Sequence, residues 1–161
     1  MKTKLTALLL AAMMMLSLCA GALGQTVFTD DLGRDVNVPD QIERLVVSGP
    51  LPQIYAYGIA PDMFVGLASK WYDSSKGIIP EEHLNLPYFG QLYGSADLSI
   101  EELAKADPQI IIDMGEPKKS INEDLDGLEA QTTIPAVYIR TTLDTAPQAY
   151  RRLGQLLGRE A

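Results

Sequence analysis

The spacing of apolar positions along this chain changes several times, and each change predicts a new element. "QIIIDM" places Ile110, Ile111 and Ile112 in succession. A strand that is apolar on both faces needs cover on both sides, so this run belongs in the middle of a parallel sheet with helices above and below. "VFTDDLGRDVNVP" alternates instead, with Val27 and Thr29 before an Asp-Leu-Gly-Arg turn and Val36 and Val38 after it, which predicts a β-hairpin. "LVV" at 45–47 reads as a short buried strand stopped by Ser48, Gly49 and Pro50.

Helical spacing fills the intervals. Leu51, Ile54, Tyr55 and Gly58 predict a short helix closed by a glycine, followed by a strand over 64–68 and a short strand or extended piece at Tyr88 and Phe89. Ser99 opens a helix with Ile100, Leu103 and Ala104 inward, and Glu102 three residues later completes a capping box. Ile121, Leu125 and Leu128 mark an amphipathic helix, and "PAVYI" the next strand. Ala149, Leu153, Leu156 and Leu157 recur in a last helix that runs to Ala161 without a capping residue. This alternation predicts an α/β fold, a mostly parallel sheet flanked by helices with an amino-terminal β-hairpin. Ligands of such sheets sit beyond the carboxyl ends of the strands.

The first 24 residues change the picture, because they read as a secretory signal rather than as structure. Lys2 and Lys4 precede an apolar run over 5–18, and Ala22-Leu23-Gly24 has the small-x-small form of a cleavage site. The protein is expected to be exported, either periplasmic or lipid-anchored on the outer face of the cytoplasmic membrane. The anchor would be Cys19 in "LSLCAG", which resembles a lipobox, although Leu18 is larger than the residue such motifs place there. Without lipidation Cys19 is one more small apolar residue of the signal. It is the only cysteine, so the mature domain has no disulfide and relies on its core. The chain carries net charge −8, and loss of the signal removes two lysines and no acid. That acidity argues against nucleic acid or an anionic membrane as partner.

Catalytic chemistry is not legible. The sequence has no G-x-S-x-G elbow and no phosphate-cradling G-x-x-x-x-G-K-[ST]. "SGPLPQ" has a single glycine where a dinucleotide site wants G-x-G-x-x-G. His83 is the sole histidine, too few for a zinc site, and reads as a solvated residue beside Glu81 and Glu82. No enzyme activity, cofactor or metal is expected.

The order of pieces nevertheless resembles a known family. "TDDLGRDVNVP", "IERLVVSGP", "YAYGIAPDMFVGLAS", "LPYFGQLYGSADLSIEELAKADPQIIID" and "IPAVYI" are similar, in sequence and spacing, to the substrate-binding proteins of iron-siderophore, haem and cobalamin ABC importers. The resemblance covers Thr26 to the end. It implies two α/β lobes joined by one long helix, with the ligand gripped between them. The expected organisation is a signal peptide over 1–24, the amino-terminal lobe over 25–143 and the start of the joining helix over 144–161, with the carboxyl-terminal lobe absent.

The same resemblance implies site residues. The loops containing Lys70, Trp71 and Tyr72, and Met114, match positions that touch ligand in cobalamin binders. Pro50 and Arg140 lie in other loops at the same sheet edge, and Tyr93 in the loop before the Ser99 helix. Trp71, Tyr72 and Tyr93 offer flat rings suited to a macrocycle or catecholate, Met114 a soft contact, and Lys70 and Arg140 charge for an anionic ferric complex. Trp71 also reads as a cover for the core and Lys70 as solvated. Glu101 matches the glutamate with which this family meets arginines of the membrane permease, and also suits a helix first turn on its own account. The alternative reading of the whole is an exported interaction or sensor domain that keeps one lobe without ligand capture.

Overall fold

A computed structural model describes residues 24–91 and 99–160. The hairpin pairs β1 (Gln25–Thr29) with β2 (Asp35–Pro39), antiparallel. A separate three-stranded parallel sheet holds β3 (Leu45–Val47), β4 (Ile110–Gly115) and β5 (Ala136–Arg140) in the order β3-β4-β5, so the isoleucine run forms the middle strand as its composition requires. The helices are α1 (Pro50–Tyr57), α2 (Glu81–Leu84), α3 (Ile100–Ala106), α4 (Ile121–Thr132) and α5 (Ala146–Leu157).

The period of two along β4 builds two cores. Ile110, Ile112 and Met114 face one way, into a cluster with Leu45, Val47, Val137, Ile139, Ala56, Phe64 and the α5 residues Ala149, Leu153, Leu156 and Leu157. Ile111 faces the other, with Val46, Ala136, Tyr138, Leu103 and the α4 residues Ile121, Leu125 and Leu128. A doubly apolar strand is thereby dry on both sides.

The hairpin turn closes the outer edge of β5. Asp30 shapes the turn by accepting from the Leu32 amide at 2.9 Å, with Gly33 at φ +80° where a side chain would be strained. Its carboxylate also receives the Tyr138 amide at 3.3 Å, while the Asp31 amide donates to the Tyr138 carbonyl at 3.1 Å. The Asp31 carboxylate takes the Arg140 amide at 2.8 Å, and Arg34 donates to the Ala136 carbonyl at 2.6 Å. The Ala136 amide goes to Glu129 at 2.7 Å. Groups that would template further strands are thus occupied without a fourth strand.

Several local expectations need correction. Residues 64–68 make only isolated bridges, Leu45 with Phe64 and Leu67 with Tyr88. Their hydrogen bonds are divided: Val65 donates to Leu45, Leu67 to Pro87, and Ala68 to the Gln53 side chain, so no continuous ladder forms. The helix at 50–57 is present, but it buries Pro52, Gln53 and Ala56 and leaves Leu51 and Ile54 44% and 60% exposed. Gly58 stays right-handed at φ −66°. In α3 only Leu103 is buried; Ser99 caps the Glu102 amide at 3.3 Å, while the Glu102 carboxylate pairs with Lys105 at 2.9 Å, so the capping box is half made. The last helix ends at Leu157, where Gly158 turns left-handed at φ +63° and the Arg159 amide returns to the Gly154 carbonyl at 2.8 Å.

Gly66 packs directly against the Phe89 ring. A Cβ there would lie 1.9 Å from the buried Phe89 ring. Gly66→Ala is expected to cost about 1–3 kcal/mol by overpacking, read as a lower midpoint in thermal unfolding, and Phe89→Leu in the same chain to restore part of it.

Candidate functional site

The carboxyl ends of the parallel strands open on one cleft walled by helix α1, and a second, larger cleft is lined by the loop that follows Ser69 and by residues around α2. The smaller, about 240 Å³, is lined by Ser48, Pro50, Leu51, Asp113, Met114 and Tyr138 among others. Pro50 begins α1 directly after the Ser48-Gly49 turn, where its missing amide is not needed by the helix. Met114 is only 5% exposed and belongs chiefly to the core, offering the cleft a limited surface.

Polar groups make the floor of this cleft. The Ser48 hydroxyl donates to the buried Asp113 carboxylate, which also accepts the Met114 amide at 2.9 Å. The Tyr138 hydroxyl donates to the Gly115 carbonyl. Burial, and then the Asp113 carboxylate, push the Tyr138 pKa well above the usual phenol range, so it remains a donor at any physiological pH.

The larger cleft, about 940 Å³, has two rims. One carries Lys70, Trp71, Tyr72 and Asp73; the other carries Ile79, Pro80, Glu81, Leu84 and Leu86. Lys70 stands 5.5 Å over the Tyr88 ring, a cation–π approach, and Tyr72 is 82% exposed. Trp71 does what a core cover does: it is half-buried and meets Tyr57 edge to face at 5.0 Å. Its Nε1 is buried without a hydrogen-bond partner in the structure, so the ring presents its apolar side rather than its polar edge.

The structure brings Pro50 and Met114 together, and Lys70, Trp71 and Tyr72 together, but places Arg140 elsewhere. Arg140 is exposed in a separate hollow with Asp31, Thr145 and Gln148. Tyr93 and Cys19 lie outside the described residues. Glu101 is exposed on α3, sharing Lys105 with Glu102 at 3.1 Å and 2.9 Å. His83 is not a simply solvated residue: it is half-buried and hydrogen-bonded to the Tyr57 hydroxyl at 2.7 Å. No group of three or more metal-ligating side chains occurs among the described residues.

Sequence reasoning missed Gln53. Its side chain accepts from the Ala68 and Ser69 amides at 2.9 and 3.0 Å and donates to the Ser69 carbonyl at 2.9 Å, fixing the loop that carries Lys70 to Tyr72. The available signal was one amide residue among apolar neighbours in "PLPQIYAYG".

Comparison with known proteins supplies the context for this geometry. No family model matches the sequence, and no curated protein does. Solved structures do match. An ABC transporter solute binding protein from Sulfurospirillum deleyianum superposes with a TM-score of 0.71 at 22% identity, over 83% of this chain and 42% of that one. A periplasmic solute binding protein from Veillonella parvula gives 0.65 at 25% identity, over 84% and 42%. The molybdate periplasmic binding protein of Haemophilus influenzae gives 0.59 at 20% identity, over 83% and 47%. The chain therefore spans less than half the length of these proteins, and it has the α/β fold of one of their lobes.

Proposed function

We propose, from a fold shared with one lobe of ABC-transporter solute-binding proteins, that this chain is the amino-terminal lobe of the substrate-binding component of an importer. The cargo we assign is an iron complex, siderophore or haem, or a cobalamin. The protein works outside the cytoplasm, periplasmic or anchored through Cys19, and hands its ligand to a membrane permease rather than transforming it.

One observation carries this reading: the Pro50–Met114 cleft opens at the carboxyl edge of the parallel sheet, where α/β folds hold ligands, and the Lys70-Trp71-Tyr72 rim follows directly on the 68–69 backbone that Gln53 of α1 fixes. Tyr72 and the apolar side of Trp71 offer ring surface to a large flat ligand, and Lys70 offers positive charge in an otherwise acidic chain. Arg140 serves at the periphery, in its own hollow. The exposed Glu101 is assigned the permease contact, with Lys105 as the cation that a permease arginine would replace.

Trp71 is the only tryptophan, so its emission reports on the larger cleft. Titration with hemin, a ferric siderophore and cobalamin is expected to give saturable quenching by one of the three. Quenching by none, at concentrations where the chain is folded, would remove this cargo assignment.

A further inference from the structure

Helix α1 reaches both rims of the larger cleft. Gln53 fixes the 68–69 backbone below one rim. One turn later Tyr57 stands between the rims, with its ring against Trp71 at 5.0 Å and against His83 at 5.5 Å, and its hydroxyl 2.7 Å from His83 Nδ1. Trp71 belongs to the first rim, and His83 sits on α2, whose Glu81 and Leu84 line the second. Helix α2 is a single turn with no amino-terminal side-chain cap and no fully buried residue. It is held within itself at its far end by the Asn85 side chain donating to the Glu81 carbonyl at 2.9 Å, so its own contacts hold it weakly against the rest of the fold.

We infer that the Tyr57–His83 hydrogen bond is a clasp that holds the two rims of this cleft at a fixed separation, which makes Tyr57 and His83 positioning residues for whatever the cleft binds. Burial, and then the nearby Glu82, raise the Tyr57 pKa, so the phenol keeps its proton and its neutral hydrogen bond with His83 Nδ1. The same ring packs on Phe64 at 5.7 Å, which ties the clasp to the core rather than to a mobile surface chain. The significance of the clasp for ligand binding rests on the cleft being the ligand site; the clasp itself does not.

Millisecond hydrogen exchange on the ligand-free chain tests it. Tyr57→Phe keeps the ring contacts and removes the hydroxyl, His83→Ala removes its partner, and His83→Asn returns an amide group near the place of Nδ1. The amides of His83, Leu84 and Asn85, which bond back to Pro80 and Glu81, are expected to exchange about fivefold faster in Tyr57→Phe and in His83→Ala. The wild-type rate is expected in His83→Asn, and β4 amides are expected to be unchanged in all three. Unaltered exchange in α2 for Tyr57→Phe and His83→Ala would overturn the clasp, as would equal acceleration of α2 and β4, the mark of a general loss of stability. Titration of the wild type with hemin, a ferric siderophore and cobalamin decides the ligand reading separately: absence of binding by all three counts against the cargo and leaves the exchange result to decide the clasp.

Discussion

Arg34→Met is expected to lower the unfolding free energy by about 3–5 kcal/mol in urea denaturation, because it strands a carboxylate that the fold has taken out of water. The Asp30 side chain has no exposed surface, and Arg34 reaches it with both Nε and Nη2, at 3.0 and 2.9 Å. The same guanidinium bonds the Ala136 carbonyl at 2.6 Å and Asp126 at 3.1 Å, tying the hairpin to β5 and α4 at once. Methionine fills similar space and supplies none of these donors. Asp30→Asn added to Arg34→Met removes the stranded charge, so the double variant is expected to be more stable than Arg34→Met alone. A loss below about 1 kcal/mol for Arg34→Met would mean that the pair behaves as a surface bridge and that the turn does not seal the sheet edge.

Gln53→Leu is expected to cost about 2–4 kcal/mol, since it leaves the Ala68 and Ser69 amides without their acceptor. Ala68 is 2% exposed, so water does not easily replace the lost partner there. The effect should be local as well as global. Lys70, Trp71 and Tyr72 follow directly on the released backbone, so acrylamide quenching of Trp71 should rise in conditions where the chain is still folded. Unchanged quenching together with unchanged stability would show that Gln53 does not set this rim.

These two residues also mark where sequence reading stops. The run Ile110 to Ile112 identified the middle strand because apolarity on both faces has one common solution, and the alternation around Asp-Leu-Gly-Arg identified the hairpin because its turn chemistry is local. What that turn does for β5 was not legible: Arg34 meets Ala136 and Asp126 from about a hundred positions away, and no local pattern encodes such a partner. Helix α1 was placed well and oriented badly, because apolar spacing assigned Leu51 and Ile54 to it while the inward position went to a glutamine that completes the 68–69 backbone. The strand expected over 64–68 failed for the same reason, its amides being shared among β3, Pro87 and Gln53. Of the candidate site, Pro50 lies with Met114 in one cleft and Lys70 with Trp71 and Tyr72 in another, while the charge of Arg140 went to a separate hollow. The partnership of His83 with Tyr57 escaped notice because a lone histidine among glutamates carries no packing signal.

The claim on which the rest depends is that ligand is held at the carboxyl edge of the sheet. Two-dimensional amide NMR of the labelled chain, with hemin, a ferric siderophore and cobalamin added in turn, tests it most directly. The predicted result is perturbation by one of them confined to Ser48, Gly49, Leu51, Lys70, Trp71, Tyr72, Met114 and Gly115. Perturbation centred instead on the opposite edge, at Glu43, Arg44, Gln109 and Ile134, or no perturbation by any of the three, would contradict it.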